Sequence, residues 1–129
     1  MKTKSRAAQM ILANVEGARD EALSRAKAMS EALADGGRLD WSDTRRLAVA
    51  QFTADELYRF DPHCMEDDDA MIATARETVA HLSDRLLTSA CNATSGSTDI
   101  FSNALEAAKT EARGELLREF TRILNRIKT

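Results

Sequence analysis

Leu116-Leu117-Arg118-Glu119-Phe120-Thr121-Arg122-Ile123-Leu124-Asn125-Arg126-Ile127 carries large apolar side chains at 116, 120, 123 and 127. Intervals of four, three and four put these on one face of a helix. Leu117 and Leu124 widen that face, while Arg118, Arg122 and Arg126 form an i, i+4, i+8 row on another. Toward the N-terminus the same face continues through Ala112, Ala108, Leu105 and Phe101, so a helix is predicted over about residues 99–127. It is bulky at its end and lined with alanine nearer its start.

The beginning of the chain has the opposite gradient. Ile11, Val15, Ala18, Ala22, Ala26, Met29 and Leu33 recur at helical spacing, predicting a helix over about residues 5–34 that Asp35-Gly36-Gly37 ends. Its large side chains (Met10, Ile11, Leu12, Val15) come first and its alanines follow. Two such helices match bulk to bulk and alanine to alanine only when they run in opposite directions. That agreement predicts an all-α, antiparallel bundle of about four helices with long first and last members.

Two further helices complete it. One starts near Asp40, where Asp40 caps Asp43, and carries Leu47, Ala50, Ala54 and Leu57 until Asp61-Pro62 stops it. Thr53-Ala54-Asp55-Glu56 has the form of a capping box, but one continuous helix is the expectation. The next starts in Glu66-Asp67-Asp68-Asp69, carboxylates that favour a helix N-terminus, and carries Ile72, Ala75, Val79, Leu82, Leu86, Ala90 and Ala93. Thr94-Ser95-Gly96-Ser97-Thr98 ends it. Gly17 and Gly114, inside the long helices, suggest close helix approach.

Composition supports this architecture. Twenty-two alanines against one proline in 129 residues favour helix, and 43% hydrophobic with 30% charged residues describes a globular chain. The expectation is one domain over residues 1–129. Two cysteines make no disulfide framework, so a cytoplasmic location is expected. No stretch is apolar enough for a membrane span, and no membrane partner is expected. The formal net charge is −3, which argues against a dedicated nucleic-acid binder. Residues 31–70 hold eleven acidic side chains against four basic, whereas residues 1–30 and 111–129 are basic on balance. An antiparallel bundle brings those basic ends to the 61–69 loop.

Several constellations bear on function. Asp61-Pro62-His63-Cys64-Met65-Glu66-Asp67-Asp68-Asp69 concentrates metal-ligand types, but its spacing fits no closed site, and no metal or cofactor is expected. Asp67, Asp68 and Asp69 are a candidate binding patch, as is the row Arg118, Arg122 and Arg126, which suits a phosphate backbone except that Glu111, Glu115 and Glu119 run beside it. Trp41, the only tryptophan, either seals the core or anchors an interface.

Arg76-Glu77-Thr78-Val79-Ala80-His81 has the form R-x4-H and resembles the motif of the HEPN family, small all-α domains that include metal-independent ribonucleases. The resemblance covers six residues and implies that Arg76 and His81 act on the scissile phosphate and its 2′-hydroxyl. Residues i and i+5 lie about 140° apart on a straight helix, so convergence on one phosphate needs more than the helix supplies. Asp40-x-x-Asp43 with Glu66-x-x-Asp69 is similar to the paired, Mg²⁺-holding carboxylates of all-α nucleoside triphosphate pyrophosphatases. Here both pairs fall at helix starts, where capping accounts for them. The leading expectation is a non-enzymatic interaction protein, a small regulator or inhibitor of the kind mobile elements encode. It docks on a protein partner, as a homodimer in its simplest arrangement. The ribonuclease stands second and a nucleic-acid-associated regulator third.

Overall fold

The computed structural model describes residues 5–37, 40–92 and 100–127. It is all-helical, with four packed helices: α1 Arg6–Ala34, α2 Trp41–Glu56, α3 Asp68–Asn92 and α4 Ile100–Ile127. A 3-10 turn, Cys64–Glu66, precedes α3. The first and last helices are the longest, as the two matched stripes predict.

Local chemistry sets the ends. Ser5 caps α1 by accepting from Ala8 N–H at 3.2 Å. Gly36, at φ 78°, reverses the chain after α1. Gly37 N–H then reaches Ala32 O at 2.8 Å and Gly36 N–H reaches Leu33 O at 3.1 Å, the paired bonds of a Schellman stop. Asp40 Oδ1 accepts from Asp43 N–H at 2.8 Å and so opens α2. Thr53 does not break that helix: its hydroxyl donates back to Val49 O at 2.8 Å, inside a continuous turn.

α2 is shorter than its apolar stripe suggests. It stops at Glu56, and Leu57 and Phe60, both fully buried, leave the helix to enter the core. The Arg19 guanidinium reaches across from α1 and donates to the carbonyls of Phe60 at 2.7 Å and Leu57 at 3.4 Å. Phe60 N–H also donates to the Leu57 carbonyl at 3.1 Å, so Arg19 adds a second donor there and supplies one to Phe60 O at a helix end. Residues 57–67 thus do the packing of the turns that α2 lacks.

Cross-helix contacts define the directions. Arg19 meets the end of α2, whereas Arg25, Met29 and Ala32 share a surface with Asp43 at its start, so α1 and α2 are antiparallel. Arg126 Nη1 lies 4.0 Å from Met10 Sδ, and Ala18 lies opposite Glu115, so α1 and α4 are antiparallel too. Ser5 N–H donates to Asp68 Oδ2 at 2.6 Å, which joins the starts of α1 and α3. The helices alternate up and down along the chain as expected, but α2 packs on α4 rather than on its sequence neighbour α3. The connection through residues 57–67 joins α2 to α3, placing Leu57 and Phe60 in the core while most of its other side chains stay at the surface.

The core is concentrated at the end holding both termini. Ile11, Val15, Phe60, Phe120 and Ile123 are fully buried there, with the Phe60 and Phe120 rings edge to face at 5.8 Å between centroids. Toward the other end the buried positions among the described residues are mostly alanines, Ala22, Ala50 and Ala108, with Leu82 of α3 the large exception. Ala26 and Leu33, which the helical stripe places inside, are exposed, because only small side chains oppose them. The close-approach explanation of Gly17 and Gly114 is also overturned: an added Cβ at either would meet nothing within 4 Å. Lys2, Lys4 and Lys128 and the 94–98 loop lie outside the described residues.

Candidate functional site

The residues singled out in the sequence fall into separate places. Asp67, Asp68 and Asp69 organise the start of α3. Asp67 Oδ1 accepts from Asp69 N–H at 3.1 Å, and Asp68 holds the start of α1. Upstream, Asp61 Oδ1 accepts from Cys64 N–H at 2.7 Å, and Cys64 Sγ lies 3.2 Å from the Thr74 hydroxyl. These bonds give Asp61, Asp67 and Asp68 capping and tethering roles. Among the described residues no three His, Cys, Asp or Glu side chains gather as a metal-ligand set.

Arg118, Arg122 and Arg126 are all exposed on α4. Arg122 pairs with Glu119 one turn earlier, and Arg126 leans on Met10. The row is therefore a mixed-charge face with part of its field cancelled.

Arg76 and His81 are not brought together. Arg76 is exposed, while His81 is half-buried with Nε2 3.7 Å from Glu56 Oε2. The other oxygen of Glu56 accepts from Arg113 Nε at 2.9 Å, and the Glu56 and Arg113 side chains are each only 13% exposed. This Glu56–Arg113–His81 cluster ties the end of α2 to α3 and α4. Sequence reasoning missed it because its members stand 57 and 25 positions from Glu56 and share no local pattern.

Trp41 is the first residue of α2 and is 60% exposed, so it does not seal the core. Leu33, in the last turn of α1 just across the α1–α2 turn, is 58% exposed. Leu23 at 70% and Leu87 at 65% lie in the later halves of α1 and α3, the same half of the bundle. Among the described residues, four of the five large apolar side chains left exposed thus belong to the alanine-rich half; Tyr58 is the fifth.

An open groove of about 510 Å³ runs beside this end between α1, α2 and α4. Its floor includes Ala18, Val49 and Ala50, small or half-buried side chains that let α1 and α2 lie near each other. Its walls carry Glu21, Glu111 and Glu115 against Arg25, Arg45 and Arg46. Arg25 pairs with Glu21, and Arg45 with Glu111 at 2.9 Å. The Glu111–Glu115 spacing was legible as a helix-surface row, but its placement across from Arg45-Arg46 depends on how α2 packs.

Comparison with protein-family models, with curated proteins and with solved structures gives no match to this chain.

Proposed function

We propose that this protein is a non-enzymatic interaction protein, a small regulator or inhibitor that docks on a protein partner through the alanine-rich end of its bundle. The observation that carries this reading is the exposure of Leu33 and Trp41 on either side of the α1–α2 turn. A single exposed leucine needs no explanation. A tryptophan and several leucines left exposed at one end are a different matter, since exposed apolar patches mark interaction sites and tryptophan is enriched among binding hot spots. Protein is favoured over nucleic acid by the net charge of −3 and by the carboxylates beside the α4 arginines.

The test is site-directed photo-crosslinking in the native host. A crosslinking residue at Trp41 should give one discrete protein adduct, and Leu33→Ser should abolish it. The same crosslinker at Tyr58, which is equally exposed but outside that end, should give none. Equal yields from the two positions would refute the reading. RNA cleavage lost in both Arg76→Ala and His81→Ala would replace it with the ribonuclease.

A further inference from the structure

We propose that the α1–α2–α4 groove is a self-complementary face on which a second copy of this chain docks, with Arg46 of each copy opposite Glu115 of the other. The inference rests on the reading of the protein as an interaction module. It adds a second surface, on which the chain meets its own copy.

The argument starts from charge balance. The groove walls carry three glutamates and three arginines. A nucleic acid would meet as many carboxylates as guanidiniums there. A uniformly acidic or basic protein surface would match half the face and be repelled by the other half. The complement of a face with both signs is a face with the signs exchanged. A copy rotated by a two-fold axis supplies that, because in an isologous contact residue i meets residue j and j meets i.

The pairing inside the chain then selects two residues. Arg25 is held by Glu21 and Arg45 by Glu111. Arg46 on α2 and Glu115 on α4 are exposed, and neither has an ion-pair partner among the described residues. They stand on different walls of one groove, one of each sign. A two-fold axis between the walls sets each against the other's counterpart in the second copy.

Size sets the expected strength. α2 has 16 residues and so is about 24 Å long at about 1.5 Å per residue. Two helices abreast are roughly 20 Å wide, since packed helices lie about 8–10 Å apart. The two faces together come to roughly 1,000 Å², at the low end for a specific interface. The dimer is therefore reversible and concentration-dependent.

Sedimentation of the full chain over about 5–200 μM, the range that populates an interface of this class, tests it. The wild type should pass from monomer toward dimer across that range. Arg46→Glu and Glu115→Arg should each remain monomeric, because each sets like charges against one another at both contacts. An equimolar mixture of the two variants should dimerise again, since one chain then carries acids at both positions and the other carries bases. Both substitutions are at exposed positions, so at concentrations where the wild type is monomeric the helix signal and melting of each variant should match it. A wild type that stays monomeric, or a mixture that fails to dimerise, overturns the proposal. The Trp41 crosslink judges the broader docking reading separately, because its readout is a heterologous adduct.

Discussion

Phe120→Ala should come close to unfolding this protein. Phe120 is fully buried, edge to face with Phe60, in a cluster that includes Ile11, Val15 and Ile123. Phenylalanine-to-alanine changes in cores cost about 3–5 kcal/mol, through lost transfer free energy and the cavity left behind. The removed ring leaves a void of roughly 100 Å³ before relaxation, which at about 24 cal/mol per Å³ is roughly 2.4 kcal/mol of the total. The Phe60 pair adds about 0.5–1.5 kcal/mol beyond area. These terms place the cost in the upper part of the range, near 4–5 kcal/mol.

A domain has only about 5–15 kcal/mol to lose. For 129 residues the unfolding entropy is about 0.27 kcal/mol/K, so the melting temperature should fall by roughly 15 °C or more. The control is Ala108→Ser, on the same helix face at the alanine-rich end and 3% exposed. It adds one hydroxyl, which can donate back along the helix as Thr110 does, and should cost about 1 kcal/mol. Thermal and urea melts followed by the helix signal measure both. A fall of less than about 5 °C for Phe120→Ala would mean that the termini end is not the main source of stability. It would also transfer the docking argument to that end, where a large apolar surface would then be loosely held.

Two other substitutions probe features without a sequence signature. Glu56→Gln removes the charge that Arg113 and His81 share, and should destabilise by about 2–3 kcal/mol because a mostly buried guanidinium is left without its counter-ion; a melt unchanged within error would show that water already screens the cluster. Gly17→Ala and Gly114→Ala should each stabilise by about 0.5–1 kcal/mol, since a methyl group meets no neighbour at either site and helix propensity alone acts. Their effects should add in the double variant, and a loss of stability in either would mean that the helices bend there.

The helices were legible because their information is local. Ser5, Asp40 and the two glycines after Ala34 set helix ends through bonds to residues no more than five positions away. The bulk gradients of the first and last helices also carried their mutual direction. What the pattern could not carry was the pairing of α2 with α4, which depends on where the chain goes after Glu56. Leu57 and Phe60 sit at helical spacing and read as a continuation, yet a long-range bond from Arg19 and burial against Phe120 draw them out of the helix. Proline at 62 signalled a stop without saying how early the helix would give way. The candidate site divides the same way. Trp41 was visible as a lone tryptophan at a helix start. Arg46 and Glu115 were two charges among thirty-nine, and only the packing of α2 on α4 sets them on one groove.

The proposed docking surface and the main core then fall on different halves of the molecule, with a physical consequence. A side chain that is 60% or 70% exposed, as Trp41 and Leu23 are, contributes little to folding, so the fold constrains its identity only weakly. A fully buried one, such as Phe60 or Ile123, is fixed by its neighbours within. In the alanine-rich half most described buried positions other than Leu82 are themselves small, and truncating them removes little apolar area at about 25 cal/mol per Å². That half can therefore accept changes in its exposed leucines and in its groove charges without losing the fold, provided that the termini end stays intact. The same economy limits it: with few large contacts of its own, the alanine-rich end should open more readily than the core, and a partner that covers it should raise the stability of the whole bundle with the logarithm of its concentration above Kd. A docked partner that left the melting temperature unchanged at saturating concentration would place the contact elsewhere.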